Sequence, residues 1–240
     1  GWMAEVLAAR DRTAAAPTPA CVVLVDQQDW VRAATQCISE GQAGNARSSR
    51  LAAELLLEGR GAIPRDEGRA RQLYTQAATA GDAEAQFWMG DRLLASEPSE
   101  ATTWFLKAAR QGLAKAYPRV AERLYRGLGT AVDASAAFTW FQRAAESGDV
   151  ASQRRLGEMY AAGVGVAKDE AAARKWYEQA GDPTRGKDSE AQYQLAQIYF
   201  RGRGVKKSDE EGMRWLRRAA AAGHLEAQKE LARRGADNPA

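Results

Sequence analysis

The sequence predicts an all-α solenoid built from stacked helix-turn-helix units, and three observations predict it. First, 51 of the 240 residues are alanine, beside 22 glycines and only 7 prolines. That balance favours helices broken by glycine-dependent turns over a sheet-rich fold. Second, the phrase Gly81-Asp82-Ala83-Glu84-Ala85-Gln86 returns as Gly223-His224-Leu225-Glu226-Ala227-Gln228, with relatives at Gly148 to Gln153 and Asp188 to Gln192. Third, two more phrases recur in the same register. One is Gly-x-Gly, at Gly59 and Gly61, Gly127 and Gly129, Gly163 and Gly165, and Gly202 and Gly204. The other is a bulky pair four residues before an alanine: Leu73-Tyr74, Trp104-Phe105, Trp140-Phe141, Trp176-Tyr177 and Trp215-Leu216. With Ser48, Ala85, Ala116, Ser152, Ala191 and Ala227 as equivalent marks, the spacings are 37, 31, 36, 39 and 36. A unit of this length cannot bury its apolar face alone, and stacking the units makes a continuous core.

The elements follow in order along the chain. Residues 1–20 hold the Ala/Pro stretch Thr13-Ala-Ala-Ala-Pro17-Thr-Pro19-Ala and read as an extended linker. The chain opens on Gly1, as a trimmed or processed product does, so a leader or anchor would not be visible in it. Residues 21–44 read as an N-terminal capping helix, with Asp29 as its N-cap and Trp30, Ala33, Ala34 and Cys37 on its apolar side. Five units then occupy 45–81, 82–112, 113–148, 149–187 and 188–223. Residues 225–240 form a C-terminal capping helix and tail.

The fourth unit shows the logic. Gln153, Leu156, Gly157 and Tyr160 have the three-and-four spacing of an amphipathic helix. Gly163-Val164-Gly165 ends that helix, because glycine accepts the left-handed backbone a helix terminus needs. Asp169 sits where an N-cap accepts the orphan amides of a second helix carrying Ala173, Trp176, Tyr177 and Ala180.

These residues resemble the SEL-one-like repeat, a relative of the tetratricopeptide repeat. The fourth unit carries Leu156, Gly157, Tyr160, Gly163, Gly165, Val166, Asp169, Ala173, Trp176, Tyr177 and Ala180 of its pattern. The fifth carries Leu195, Tyr199, Gly202, Gly204, Val205 and Trp215, with Ser208 at the aspartate position. The third keeps Val120, Leu124, Gly127, Gly129, Asp133 and Trp140. The second departs: Ser96-Glu97-Pro98-Ser99 replaces the Gly-x-Gly loop. The resemblance implies a right-handed superhelix that acts as a protein-binding scaffold or adaptor, without a shared chemistry.

Composition narrows the chemistry further. A single histidine excludes a site needing two imidazoles, and two cysteines exclude a four-thiolate zinc or iron–sulfur centre. No catalytic residue, cofactor or metal is expected. The net charge of +3 does not argue for nucleic acid. Cys21 and Cys37 have two readings, a disulfide that pins the cap in an oxidising compartment such as the periplasm, or two buried thiols. The Gly-x-Gly loops follow helices rather than strands, so they are turns and not phosphate cradles. His224 reads as part of a turn. Trp104, Trp140, Trp176 and Trp215 read as packing between helices, and Glu122 and Glu158 as solvated carboxylates. The basic run Arg201-Gly-Arg203-Gly-Val-Lys206-Lys207 reads as a solvated loop, with an acidic partner or lipid headgroups as its functional alternative.

The functional expectation rests on the first helix of each unit. In related tetratricopeptide arrays that helix lines the concave face, with the positions two before and five after the motif leucine pointing into the groove. Here these are Arg50 and Leu57, Phe87 and Leu94, Pro118 and Tyr125, Arg154 and Ala161, and Tyr193 and Phe200. Arg50, Leu57, Phe87, Leu94, Tyr125, Arg154, Tyr193 and Phe200 have the aromatic-plus-arginine character of a binding groove. The leading expectation is a non-catalytic scaffold that binds a partner polypeptide there, in a bacterial envelope complex, periplasmic or exported, otherwise cytoplasmic. The alternatives are a module that binds cell-wall glycan or exported polysaccharide and, remotely, a β-lactam-hydrolysing repeat protein. Against the last, the chain lacks a cysteine in every repeat and any Ser-x-x-Lys motif.

Overall fold

A computed structural model describes residues 18–60, 63–184 and 186–236, and within them every regular element is a helix. The helices are α1 (Ala20–Asp26), α2 (Trp30–Gln42), α3 (Ala46–Glu58), α4 (Glu67–Thr79), α5 (Ala83–Leu93), α6 (Pro98–Arg110), α7 (Ala116–Arg126), α8 (Ala134–Glu146), α9 (Val150–Ala162), α10 (Glu170–Ala180), α11 (Ser189–Arg201), α12 (Asp209–Ala221) and α13 (Leu225–Ala236). They form two compact units, one reaching to Met89 and one starting at Gly90. The Ala/Pro stretch up to Pro17 and the tail beyond residue 236 lie outside the described residues.

In the first unit the N-terminal cap is a pair of helices rather than one. Gln28 takes a left-handed backbone (φ 59°) between α1 and α2, and Asp29 restarts the helix by accepting the Arg32 amide. Cys21 and Cys37 are bonded, their Cα atoms 4.8 Å apart, and both are fully buried. Beside the bond, the Glu40 carboxylate accepts from the Cys21 amide at 3.1 Å, Gln36 Nε2 at 2.9 Å and Ser48 Oγ at 2.6 Å. Burial pushes the Glu40 carboxyl up, but the bonds from Ser48, Gln36 and the Cys21 and Ala20 backbone outweigh it and hold the group below its usual range. One carboxylate thus closes the exposed start of α1 and ties both cap helices to α3. The core of the unit follows the predicted periodicity, with Ala52, Ala53, Leu55, Leu56, Ala70, Leu73, Tyr74, Ala77 and Ala78 buried. Tyr74 stacks face to face on Trp88 at 4.1 Å.

In the second unit the fourth repeat matches its expected plan. Asp149 caps α9 through the Ser152 amide, Gly163 ends it in the left-handed region at φ 72°, and Asp169 caps α10 through the Ala171 and Ala172 amides. The Tyr177 ring lies on Gly157, where an added Cβ would sit 2.7 Å from it, so this glycine is a packing position. The bulky pairs divide their labour. Phe105, Phe141, Tyr177 and Leu216 are buried, as is Trp104, whereas Trp140, Trp176 and Trp215 pack against the core with part of the ring in solvent. A cation three residues on covers three of the tryptophans: Lys107 over Trp104 at 4.0 Å, and Arg143 over Trp140 and Arg218 over Trp215 at 4.7 Å.

The second repeat, which lacks the Gly-x-Gly loop, carries a contact of its own. α6 begins on Pro98 without a side-chain cap. The buried Arg123 reaches it from α7, donating from Nη2 to the Pro98 carbonyl at 2.6 Å and from Nε to Thr102 Oγ at 2.5 Å. The Thr102 hydroxyl in turn donates to the Leu128 carbonyl at 3.0 Å. Burial, with the charge of Arg119 added, lowers the Arg123 pKa.

Candidate functional site

Two of the residues that stand two before the motif leucine, Arg50 and Arg154, play one structural role. Each reaches the N-cap of the next repeat. Arg50 Nε sits 3.0 Å from a carboxylate oxygen of Asp82 while Nη1 pairs with Glu54 at 2.5 Å. Arg154 repeats this with Asp188 at 3.3 Å and Glu158 at 2.5 Å. Burial pulls the Arg154 pKa down, but the charges of Glu158 and Asp188 raise it overall, as Glu54 and Asp82 do for Arg50. Asp82 and Asp188 meanwhile accept the Ala85 and Ala191 amides. One carboxylate therefore caps its own helix and holds the preceding repeat.

At the end of the array the same joint is built from different residues. Tyr193 stacks on His224 at 4.5 Å. His224 Nδ1 accepts the Ala227 amide at 3.1 Å, which leaves Nε2–H to donate to Glu190 at 2.9 Å. The histidine is more than a turn residue, since it caps α13 and joins it to α11. Burial pushes the Glu190 carboxyl up, yet hydrogen bonds from Gln194 and His224 and the charge of Arg154 hold it lower than usual.

The positions five after the motif leucine lean inward. Tyr125 packs against the core cluster of Phe141 and Leu156 and meets the Phe141 ring edge-on at 6.1 Å. Ala161 packs against the cluster of Tyr177 and Leu195. Phe200, expected in the groove, is instead buried at 8% exposure. Gly212 opposite it leaves room for the ring, a Cβ there coming within 2.4 Å, and the Arg234 guanidinium closes over it at 3.8 Å. Leu57, Phe87 and Leu94 are half-buried.

A cavity of about 350 Å³ opens between α7 and α9 in the second unit. Pro118 and Phe141 form apolar wall, and Arg119, Arg154, Arg155 and Glu122 surround them. Its carboxylates are already engaged. Glu122 pairs with Arg126 at 2.5 Å, and Asp149 caps α9. Its guanidiniums differ in their holds: Arg119 meets Asp91 only at 3.5 Å, whereas Arg155 Nη1 pairs with Glu158 at 2.5 Å and its Nη2 reaches Glu122 at 3.9 Å. Arg155 also lies over the Tyr125 ring at 5.2 Å. The place offers shape, an apolar wall and guanidiniums at its edge. Glu122 and Glu158 are ion-paired side chains rather than a free acid and base. Among the described residues no group of three or more His, Cys, Asp or Glu is placed to hold a metal, and no helix is long and apolar enough to cross a membrane.

Arg154 and Pro118, two of the expected groove positions, line this cavity, together with Arg119, Arg155 and Phe141, which were not among the expected positions. The signal was available: Arg119 and Arg155 each follow a predicted groove position on the same helix.

A protein-family model described as Sel1 repeat matches residues 49–82, 83–113, 114–149, 150–182 and 189–224. Among solved structures, the chain is similar to a protective antigen of uropathogenic Escherichia coli displaying an SLR fold, at 25% identity and a TM-score of 0.73, over 87% of this chain and 44% of the other. It is also similar to a Sel1 repeat protein from Oxalobacter formigenes, at 29% identity and a TM-score of 0.68, over 88% and 84%. The chain thus spans less than half the length of the first of these. No curated protein matches it.

Proposed function

Since the chain belongs to the Sel1 repeat family, whose members are generally protein-interaction scaffolds, we propose that it is a non-catalytic adaptor that holds a segment of a partner polypeptide against the first-helix faces of its repeats. The observation that carries this reading is the cavity between α7 and α9, with Pro118 and Phe141 as apolar wall and, at its edge, Arg119, whose one ion-pair contact among the described residues is that with Asp91 at 3.5 Å. Arginine beside aromatic surface is the make-up of energetic centres in protein interfaces. Arg50, Arg154 and Tyr193 contribute by fixing the repeat spacing, and Leu57, Phe87, Leu94 and Tyr125 by the apolar surface they leave half-open; Phe200 plays no part in it. An exported or periplasmic setting in a bacterial envelope complex is the compartment we favour, and the Cys21–Cys37 bond supports it because such bonds persist where the surroundings are oxidising.

The test is a photo-crosslinking amino acid at position 119, with one at the exposed Thr139 of α8 as control, in the native cells. A discrete polypeptide adduct at 119 and none at 139 is expected. Equal labelling at both positions, or none at 119, refutes the groove. A polysaccharide reading draws nothing from the tryptophans, which pack against the core with cations lying over three of them.

A further inference from the structure

The turn between the two helices of each repeat places one residue at its tip and another just before the next N-cap. In the second unit the loops are in line, because the second glycine of each presses on the start of the preceding repeat's second helix. A Cβ on Gly129 would meet Pro98 at 2.3 Å, one on Gly165 would meet Ala134 at 2.2 Å, and one on Gly204 would meet Glu170 at 2.7 Å. Stacking therefore turns three local turns into one continuous edge. Its tips are Leu128, Val164 and Arg203, and the residues before the caps are Val132, Lys168 and Lys207.

Two properties of this edge have no use in packing. Four large apolar side chains are exposed between residues 90 and 234, and three of them are here: Leu128 at 42%, Val132 at 65% and Val164 at 36%. The adjacent cations are also uncommitted. Arg201, Arg203 and Lys206 are exposed and make no ion pair among the described residues, and Lys207 reaches Asp209 only at 3.8 Å. The acids along the edge are partly spent, with Asp133 and Asp169 accepting helix amides and Glu170 holding Lys168 at 3.2 Å; Asp209 and Glu210 stay exposed. Apolar tips beside unpaired cations on one edge match the two forces that hold a protein at a membrane surface, burial of a few side chains at the headgroup boundary and attraction to anionic lipid.

We propose that this loop edge, Leu128–Val132, Val164–Lys168 and Arg201–Lys207, is a peripheral docking surface for an anionic lipid bilayer, separate from the first-helix faces that hold the partner polypeptide. The cationic loop supplies the attraction, and Leu128, Val132 and Val164 enter the boundary. Each cation near such a surface is worth about fivefold in partitioning.

The experiment is co-sedimentation of the full chain with vesicles of phosphatidylcholine alone and of phosphatidylcholine mixed with phosphatidylglycerol. Binding to the mixed vesicles only, weakening as salt rises, is expected. Arg201→Gln with Arg203→Gln and Lys206→Gln should lower it by about a hundredfold. Leu128→Ser with Val132→Ser and Val164→Ser should lower it at unchanged net charge. The two variant sets share no residue, so a folding defect in one, seen by circular dichroism, leaves the other to decide. Absence of binding to anionic vesicles, equal binding to neutral ones, or binding that survives both variant sets overturns the proposal. So does capture of polyglutamate by a chain that ignores vesicles, which would assign the edge to an acidic protein.

Discussion

Replacing both Cys21 and Cys37 by alanine should detach α1 while leaving the repeats folded. The bond closes a loop with a sequence separation of 16, which corresponds to about 3 kcal/mol of denatured-state chain entropy. Little else holds α1. Val22 is buried, worth at most about 2 kcal/mol, but Val23 is 42% exposed, and the N-cap Pro19 offers no side-chain bond. Ordering the seven residues of α1 costs about 1 kcal/mol or more for each. The Glu40 contact with the Cys21 amide cannot offset that alone. Hydrogen exchange should then show lost protection at the amides of residues 22–28 in the double variant, with α3 and α4 still protected. About 3 kcal/mol is the ceiling for loss of global stability, reached only if the cap and the repeats unfold together. In the unmodified chain both sulfurs are fully buried, so reduction should wait on opening of the cap and speed up in mild urea. Two thiols titrating in the native, non-reduced protein would refute the reasoning, as would undiminished protection of α1 in the variant.

Two further outcomes follow from the hydrogen-bonded groups. His224→Ala removes a cap, a stack on Tyr193 and the Glu190 contact, and should cost about 1–2 kcal/mol in denaturant unfolding; His224→Asn, which can still accept the Ala227 amide, should recover the larger part, and a null effect of the alanine would sink the capping role. Glu40 has a folded pKa below its unfolded one, so its contribution is fully present above the unfolded value near about 4.3 and is lost as pH falls through the folded value. Glu40→Gln should therefore flatten the acid limb of a stability–pH profile while changing its slope near neutrality little; an unchanged acid limb would contradict the assignment.

What the sequence made legible is whatever repeats within one unit. The N-caps Asp29, Asp169 and Ser208, the left-handed Gly163 and the buried second member of each bulky pair depend on contacts a few residues apart or within one helix pair, and periodicity reports these directly. The two-helix cap was not legible, because the break rests on Gln28 holding a left-handed backbone, and glutamine carries no signal for it. Nor was Arg123, which reads as one more helix arginine until the missing loop of the second repeat brings the Pro98 carbonyl to it.

The expected groove residues show where periodicity needs the stack itself. Arg50, Arg154 and Tyr193, expected to point into the groove, are each drawn to the capping residue of a helix more than thirty positions later. Those pairs exist only once neighbouring repeats are in register, so no property of a single unit distinguishes a side chain offered to a partner from one that spaces the array. The distinction has a functional consequence. A guanidinium held by two carboxylates, such as that of Arg154 or Arg155, must break those pairs to meet a ligand, whereas Arg119, itself half exposed, gives up a single 3.5 Å contact with Asp91. Under the adaptor reading proposed above, Arg119 is therefore the guanidinium open to a partner, while Arg50 and Arg154 hold neighbouring repeats together.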